Sequence, residues 1–247
     1  MLKKILNRTE FDKLRKKHLN KMSRDVSLFR DATKLIQKAD EYMFIHQNNF
    51  FGEPSINFSE DLIRIQEAIY KSKPDFVIEI GVAWGGTTLF LSSILEAIGK
   101  GKVIGVDIFI PKHVVKAISS KGKISKRIEL VKGSSTNIEV FKKIKKITIN
   151  KKCLIILDSD HTEKHVLKEL QLYTQLLKKN SYIIVCDTII NYIKPNIHRK
   201  RDWGKTNNPY TAIEKFLKNN NQFAADKEFN DKLLTSCNFN GFIKKIR

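Results

Sequence analysis

Apolar and polar positions divide the chain into parts with different periods. In residues 1–48 apolar side chains recur every three or four positions, which is the period of an amphipathic helix. Residues 46–58 contain Gly52 and Pro54, which favour a loop. Ser59 stands where the next helical period starts, and we expect it to cap that helix.

From Pro74 onward, short apolar runs alternate with segments of helical period. The runs predict five strands, at residues 76–80, 102–107, 128–131, 153–158 and 182–187. Helices are predicted near residues 85–97, 136–146, 162–178 and 209–219. Continuous apolar strands that are separated by helices predict a parallel sheet buried on both faces.

The end of the chain predicts an antiparallel hairpin at one edge of this sheet. Its two strands are expected at residues 227–236 and 239–246, with an Asn-Gly pair near the start of the second. The predicted fold is therefore α/β, with a mostly parallel sheet, a C-terminal antiparallel hairpin and an N-terminal helical extension. We divide the chain into the extension with its loop, residues 1–58, and an α/β domain, residues 59–247.

Charge raises the question of a nucleic-acid partner. The 46 Lys and Arg residues exceed the 26 Asp and Glu residues, which gives a net charge of +20. However, most basic residues are Lys, the chain is also rich in Asn and Ile, and no basic patch with interleaved aromatic residues occurs. We therefore favour a charged solvated surface and expect no nucleic-acid partner. The basic stretches 1–30 and 112–152 could instead attract an anionic substrate, a glycan or an acidic lipid surface.

No apolar run is long enough for a membrane span, and the basic N-terminus lacks the apolar region of a signal peptide. The three cysteines, Cys153, Cys186 and Cys237, have no metal-binding spacing and are interpreted as buried reduced thiols. A cytoplasmic protein without a transmembrane segment is the expectation.

Ligands of α/β sheets bind at the carboxyl ends of the strands. The first strand there runs from Glu79 into a loop with Gly81 and Gly85, and these glycines allow a sharp turn and close approach of a ligand. The spacing G-x-x-x-G-G differs from the dinucleotide pattern G-x-G-x-x-G and suits a ligand without a pyrophosphate. Asp107 ends the second strand, where it could accept both hydroxyls of a ribose. A tight turn and a helix cap are the plain alternatives.

The spacing of four residues resembles the cofactor pattern of class I S-adenosylmethionine methyltransferases: Glu79, Gly81, Gly85 and Asp107. The resemblance implies that Gly81 and Gly85 line the methionine part of the cofactor and that Asp107 holds its ribose. It also implies that Ser134 and Ser135, which follow the third strand, lie beside the adenine or its ribose.

Two acids end neighbouring strands, Asp158 after the fourth and Asp187 after the fifth. Their carboxylates would repel unless a proton or a cation separates them, and Mg²⁺ is the hard divalent cation we expect. Such a cation could hold an acceptor hydroxyl and lower its pKa, with His161 as general base. Alternatively, Asp158 and Asp160 cap the next helix and Asp187 is an ordinary loop residue. His165 is a second candidate base.

Three blocks of sequence resemble the cephalosporin hydroxylase and rhamnosyl O-methyltransferase family: EIGVAWGGTTLFLSSILEAIGKGKVIGVDI, LDSDHTEKHVLKELQLY and WGKTNNPYTAIEKFL. The resemblance covers roughly residues 50–245. It implies a Rossmann-like class I methyltransferase fold and methyl transfer from S-adenosylmethionine to a hydroxyl of a sugar, glycolipid or natural product. Related macrolide-sugar enzymes imply a Mg²⁺ bound by the acid after strand four and by an acidic pair after strand five, with a histidine base.

Asp158, His161 and Asp187 match that arrangement, but Cys186 stands where the pattern has Glu. Because a thiol is a poor ligand for Mg²⁺, the ion could use Asp160 or water instead, or be absent. An S-adenosylmethionine-binding protein without catalysis, acting as an assembly or regulatory partner, is therefore the alternative. A nicotinamide oxidoreductase is a third interpretation, which the glycine spacing disfavours.

Several further residues are assigned with alternatives. Glu79 and Asp158 are counted with the cofactor site, and Trp84 could pack over the cofactor or fill a gap between helix and sheet. Three residues after the fifth strand could cover the substrate or form an ordinary surface loop: Trp203, Asn207 and Asn208. The N-terminal helices could build a subunit interface, so a homo-oligomer is expected.

Overall fold

Residues 7–194 and 201–247 are described by the computed structural model of the protein. Two helices open this part of the chain, α1 (Arg8–Met22) and α2 (Val26–Asp40), as the period of apolar residues predicts. The first six residues of the predicted helical stretch lie outside the described residues. Helix α1 buries none of its side chains, whereas α2 buries three. Of these two helices, α2 is therefore the one that packs into the molecule.

The stretch after α2 contains more regular structure than the loop that was predicted. After one 3-10 turn, the strands β1 (Asn49–Phe50) and β2 (Glu53–Pro54) pair antiparallel. Helix α3 (Ser59–Ser72) follows, but its N-cap residue is Phe58 and no side chain caps it. The expectation that Ser59 caps this helix was wrong, because the backbone of Ser59 is already helical.

The main sheet has seven strands among the described residues. They are β3 (Phe76–Ile80), β4 (Lys102–Asp107), β5 (Ile128–Lys132), β6 (Cys153–Leu157), β7 (Tyr182–Val185), β8 (Phe223–Ala225) and β9 (Phe242–Lys245). Their order across the sheet is β5-β4-β3-β6-β7-β9-β8. The first five pair in parallel, and β9 runs antiparallel to both of its neighbours. The five predicted parallel strands are thus confirmed, with ends that shift by at most two residues.

Helices connect the strands: α4 (Gly86–Ile98), α5 (Lys112–Ser119), α6 (Ile138–Ile147), α7 (Glu163–Tyr173), α8 (Pro209–Lys218) and α9 (Lys227–Asn230). Helix α5 was not predicted, because its eight residues offer only two buried apolar positions, Val114 and Ile118. Helix α7 ends earlier than predicted and continues as a 3-10 turn. Among the described residues, no helix combines the length and the apolar character needed to cross a bilayer.

The C-terminal hairpin exists, but its first strand was placed wrongly. Residues 227–236 form α9 and turns, and the strand that pairs with β9 is β8. The Asp226 side chain accepts a hydrogen bond from the Glu228 amide and so starts a helix directly after β8. Phe229 and Leu233 then recur at helical spacing and are buried, which is the pattern that was mistaken for a strand.

Both faces of the sheet are covered, because successive strand residues point to opposite sides. On β3, for example, Val77 packs in one core cluster and Ile78 in the other. Ile80, the last residue of β3, pairs with Val106 on one side and with Leu157 on the other. The strands therefore end level, and the residues that follow them lie in a row along one edge of the sheet.

Candidate active site

A cavity of about 340 Å³ opens at the carboxyl edge of the sheet. Its floor comes from the loops after β3, β6 and β7: Gly81, Val82, Ala83, Trp84, Asp158, Ser159, His161 and Asp187. Apolar side chains of the wall come from α2, the segment before α3 and the segment after β7: Ile36, Phe44, Phe58, Ile189, Ile190 and Ile193. Charged side chains line the cavity as well: Asp40, Lys194 and Arg201. The cavity thus joins a polar floor to an apolar wall.

Three side chains on the floor form a potential metal site. One ligand atom from each of Asp158, His161 and Asp187 lies within 4.8 Å of the other two, and no other such group occurs in the described part of the chain. Burial raises the pKa of Asp158 to about 7, and the charge of Asp187 adds to this effect. Asp158 therefore favours a proton or a cation close by, which fits a hard divalent cation held by the two carboxylates.

His161 is oriented by two neighbours. Its Nε2 lies 3.1 Å from Oδ2 of Asp187. The ring of Trp203 meets the imidazole edge-on, with 5.9 Å between the ring centroids. Arg201 and Trp203 both line the cavity, and the guanidinium of Arg201 lies 5.6 Å from the centre of the Trp203 ring. The imidazole is therefore held at the floor between a carboxylate and an aromatic side chain.

Cys186 precedes Asp187 but lies outside this group. Its side chain packs in the apolar core with Phe58 and Ile65, and it is 3% exposed. Burial raises the pKa of the thiol well above its ordinary value, so it stays protonated and is no ligand for a hard cation. Asp160 is engaged elsewhere, since its Oδ1 accepts hydrogen bonds from the amide and the hydroxyl of Thr162, at 2.7 and 2.6 Å.

The backbone conformation of the loop after β3 accounts for the glycines at positions 81 and 85. Gly81 has φ +100°, and a Cβ placed on it would lie 2.0 Å from the carbonyl oxygen of Asp158. A side chain at position 81 is therefore excluded where the first loop passes the metal group. Gly85 has φ +85° and serves as N-cap of α4, outside the cavity lining. Trp84 is half-exposed, lines the cavity and lies beside the ring of His113.

Asp107 and Glu79 lie beneath this loop rather than in the cavity wall. Oδ2 of Asp107 accepts hydrogen bonds from the amides of Val82 and Ala83, at 2.9 and 3.1 Å, and Oδ1 accepts one from Phe109. One acceptor position remains on Oδ1. Glu79 is fully buried, which raises its pKa to about 8, although the Thr88 hydroxyl donates a hydrogen bond to it.

Ser135 belongs to a buried cluster behind the cavity. Its hydroxyl donates to Oε1 of Glu169 at 2.5 Å, and the hydroxyl of Ser159 donates to the same oxygen at 2.7 Å. His165 also places Nε2 3.1 Å from that oxygen, and this contact raises the pKa of its imidazole. His165 thus faces Glu169 and not the cavity. Ser134 contacts Thr136 and does not line the cavity either.

Of the three predicted substrate residues, Trp203 lines the cavity and the two asparagines do not. Oδ1 of Asn207 accepts the amide of Glu163 at the start of α7. Asn208 is fully buried and caps α8, where its side chain accepts the amide of Thr211. Both side chains are therefore engaged in starting helices.

Sequence reasoning missed most of the apolar wall and the residues behind the floor. Ser159 follows Asp158 directly, and its place after a strand indicates that it lies at this edge, but no role was predicted for it. Phe44, Phe58 and Ile36 come from segments far away along the chain, and no local pattern indicates that they reach this edge of the sheet.

Solved structures share the fold. CmcI in its apo form gives a TM-score of 0.58 at 15% identity, over 82% of this chain and 77% of that chain. CmcI with Mg and SAM gives 0.57 at 15% identity, over 82% and 78%. A putative caffeoyl-CoA O-methyltransferase from Staphylococcus aureus gives 0.51 at 16% identity, over 76% and 84%. The chain thus has the Rossmann-like fold of class I methyltransferases.

The family follows from sequence. Residues 42–246 match the family model described as Rhamnosyl O-methyltransferase/CmcI. A rhamnosyl O-methyltransferase of Mycobacterium tuberculosis is 30% identical over 189 residues, 74% of this chain and 72% of that protein. Its counterpart from Mycobacterium leprae is 30% identical over 200 residues, 77% and 81%. The chain belongs to the rhamnosyl O-methyltransferase/CmcI family, and the prediction of an S-adenosylmethionine-dependent O-methyltransferase is confirmed.

Proposed function

We propose that this enzyme methylates a hydroxyl of a sugar, glycolipid or natural-product acceptor, with a Mg²⁺ held by Asp158 and Asp187 and with His161 as general base. The observation that supports this most directly is the grouping of these three side chains within 4.8 Å on the floor of one cavity. The family carries the reaction class, and its curated members named above are rhamnosyl O-methyltransferases.

The loop after β3 is the proposed seat of the methionine part of S-adenosylmethionine, which supplies the transferable methyl group when bound. Gly81 lets this loop pass close to the backbone of Asp158, and Trp84 lines the cavity with a half-exposed aromatic side chain. Asp107 holds the loop through two amides and keeps one acceptor position for a ribose hydroxyl. We place the adenine end toward Ser134 and Ser135, after β5.

His161 is proposed to accept the proton of the acceptor hydroxyl. Its Nε2 faces the carboxylate of Asp187 and donates there, which leaves Nδ1 as the nitrogen that can take up a proton. A bound Mg²⁺ would supply Lewis-acid stabilisation of the alkoxide that forms. Methyl transfer is an in-line displacement, in which the bond from the methyl carbon to the acceptor oxygen forms as its bond to the sulfonium sulfur breaks and S-adenosylhomocysteine leaves. The two carboxylates and the edge-on Trp203 therefore contribute mainly by orienting the groups.

The wall of the cavity indicates what else the acceptor carries. Ile189, Ile190 and Ile193 line the same cavity as the metal group, together with Phe44 and Phe58. An acceptor that fills this space places a hydroxyl on the polar floor and an apolar part against the wall. A glycoside with an apolar substituent or aglycone therefore fits better than a fully hydroxylated polysaccharide.

The test combines cofactor binding with turnover. Calorimetry should detect binding of S-adenosylmethionine to the wild type, and Asp107→Ala should abolish it. With labelled S-adenosylmethionine and a panel of rhamnosides with apolar aglycones, His161→Ala should lower methyl transfer at least about a hundredfold while cofactor binding survives. His18→Ala, an exposed histidine on α1, is the matched control and should behave as wild type.

No binding of S-adenosylmethionine at millimolar concentration would contradict the proposed cofactor site. Unchanged turnover of His161→Ala would assign the base elsewhere. A non-catalytic binding protein is the second candidate, and the burial of Cys186, which stands where the resemblance implies Glu, favours it. Turnover by the unmodified chain would end that alternative.

Further proposals concern the whole chain. Residues 1–58 form an extension, of which α2 supplies part of the cavity wall, and residues 59–247 form the methyltransferase domain. The protein is proposed to work as a homo-oligomer in the cytoplasm, without nucleic acid and with peripheral contact to anionic lipid at most. Sedimentation analysis and a vesicle-binding assay at physiological salt test these points.

A further inference from the structure

A chain of buried hydrogen bonds leads from α3 to the backbone of Asp187. Asp61 is fully buried, one of its carboxylate oxygens accepts the hydroxyl of Ser236, and the other accepts the amide of Cys237 at 2.9 Å. The hydroxyl oxygen of Ser236 in turn accepts the amide of Asn238 at 2.8 Å. Oδ1 of Asn238 then accepts the amide of Asp187 at 3.2 Å.

Asp187 needs such support because its backbone is in the left-handed region, with φ 55°. Residues with a Cβ rarely adopt this conformation unless their surroundings hold them there. The segment that contains Asn238 also binds the two residues that follow. The Thr188 hydroxyl donates to the carbonyl of Phe239 at 2.6 Å, and the Ile189 amide donates to the carbonyl of Cys237 at 3.0 Å.

We propose that Asp61, Ser236 and Asn238 form a positioning network that fixes the carboxylate of Asp187 for cation binding. None of the three lines the cavity, so they act through Asp187 and do not touch the reacting groups. The inference rests on the proposed metal-assisted function. It names residues that the glycine and carboxylate patterns do not indicate, because Asp61 and Ser236 lie far apart along the chain.

Comparable partners behind the ligands of known metal sites are worth ten- to a hundredfold in metal affinity. The network contacts Asp187 through the hydrogen bond from the Asp187 amide to Asn238. Without this bond, the backbone of Asp187 is free to leave the left-handed region. The distance between the carboxylates of Asp187 and Asp158 then varies. Loss of any member is therefore expected to weaken cation binding more than cofactor binding.

The competing explanation is that these bonds merely fasten the C-terminal segment to α3. Asn230 provides a matched control for this explanation. Its side chain also bridges two parts of the C-terminal region, since Nδ2 donates to the carbonyl of Phe242 and Oδ1 accepts the Phe242 amide. It does not line the cavity.

The first experiment compares Ser236→Ala, Asn238→Ala and Asn230→Ala. Each full-length variant is titrated with Mg²⁺ in the presence of saturating S-adenosylmethionine, and the cofactor affinity is measured separately. We expect a Mg²⁺ Kd at least tenfold weaker for Ser236→Ala and Asn238→Ala, with cofactor Kd within about twofold of wild type. Asn230→Ala should lower the melting temperature and leave the Mg²⁺ Kd unchanged. Equal Mg²⁺ affinity in all three variants and wild type would overturn the inference.

The second experiment needs no metal, and it separates failure of this inference from failure of the proposed function. Exchange of the Asp187 amide hydrogen is followed by NMR in the metal-free protein. In Ser236→Ala, which does not contact Asp187, we expect this amide to exchange at least tenfold faster, whereas Asn230→Ala should leave it protected. If wild type binds S-adenosylmethionine but no Mg²⁺, the metal proposal fails alone. An Asp187 amide that stays equally protected in Ser236→Ala would then refute the network.

Discussion

Glu79 is fully buried and Asp158 is partly buried at the floor of the cavity, and both acids lie in surroundings that disfavour a charged carboxylate. Burial raises the pKa of Glu79 to about 8 and that of Asp158 to about 7, and in Asp158 the charge of Asp187 adds to the effect. The hydrogen bond from Thr88 favours the charged form of Glu79 but does not offset burial. At neutral pH the carboxyl edge of the sheet therefore favours a proton or a cation.

A pH dependence of stability follows for Glu79. Because its pKa is higher in the folded state, the folded protein holds more protons from the ordinary pKa of a glutamate up to about pH 8, and stability falls as the pH rises through that window. Gln at this position keeps an acceptor for Thr88 and cannot ionise. We expect Glu79→Gln to be at least about 1 kcal/mol more stable than wild type at pH 8, or roughly 2–4 °C in Tm, and to lose this advantage at pH 5.

Thermal unfolding of ligand-free wild type and Glu79→Gln, measured from pH 5 to pH 8, checks this expectation. Glu96→Gln is a control, since Glu96 is partly exposed and pairs with Arg127 near the C-terminal end of α4. A Tm difference between Glu79→Gln and wild type that stays constant across the range would contradict the raised pKa.

Single residues of the site were predictable where they follow a strand. Asp158 and Asp187 end neighbouring parallel strands, and such strands end level, so sequence alone indicates that the two carboxylates meet. The structure brings them together with His161, while their roles stay proposals. Asp61 and Asn238 could not be found in this way, because their contact with the site depends on how α3 and the C-terminal segment pack.

At the scale of elements, α7 joins two loops. Oε1 of its buried Glu169 accepts hydrogen bonds from Ser135, after β5, and from Ser159, after β6. The hydroxyl of Tyr173, one turn further along α7, donates to the carbonyl of Ser135 at 3.1 Å. These contacts fix the separation between the proposed adenine end of the site and the floor of the cavity.

The two serines are expected to be coupled. Each loses one hydrogen bond to a buried carboxylate when changed to Ala, so Ser135→Ala and Ser159→Ala should each destabilise the protein by about 1–2 kcal/mol. Because both donate to the same oxygen, the double variant should deviate from additivity by at least about 0.5 kcal/mol. Urea unfolding of wild type, the two single variants and the double variant measures the deviation. Ser120→Ala, at the exposed end of α5, is the control.

Strictly additive losses would mean that Glu169 does not link the two loops. The affinity for S-adenosylmethionine can be measured for the same variants. Ser135→Ala should bind the cofactor more weakly, because the spacing of the two loops changes. Ser120 lies away from both loops, and its hydroxyl donates only to the local carbonyl of Ala117. Its replacement should therefore change neither stability nor binding measurably.

Elements were predictable where the period of apolar residues is unambiguous. The five parallel strands are short and apolar throughout, because both faces of the sheet are covered. The first strand of the C-terminal hairpin was misplaced because Phe229 and Leu233 are buried four residues apart. Both a helix and a strand place residues at this spacing on one side, and here they lie in a one-turn helix and turns. Helix α5 was not predicted because only two of its eight residues are buried, which is too few to show a helical period in the sequence.

For the whole molecule, the N-terminal helices contribute in two different ways. Helix α1 is basic and buries no side chain, whereas α2 supplies Ile36, Ala39 and Asp40 to the cavity. Apolar and polar side chains are separated less clearly around α1 than around α2, which agrees with the packing of α2 into the molecule. Helix α2 contacts the segment after β7 and the segment before β9, where Phe29 meets Tyr192 and Phe239 edge-on.

Two shortened chains separate these contributions. A chain that begins at Asp25 keeps the carboxylate that accepts the Leu28 amide and caps α2. We expect it to retain cofactor binding and methyl transfer, because α1 makes no buried contact. A chain that begins at Phe44 also loses α2, opens the apolar wall and should be several kcal/mol less stable, with acceptor methylation lost before cofactor binding. Melting curves, calorimetry with S-adenosylmethionine and transfer assays measure each step. Loss of transfer already in the longer chain would show that α1 takes part in the function, for instance by contacting a second copy of the chain.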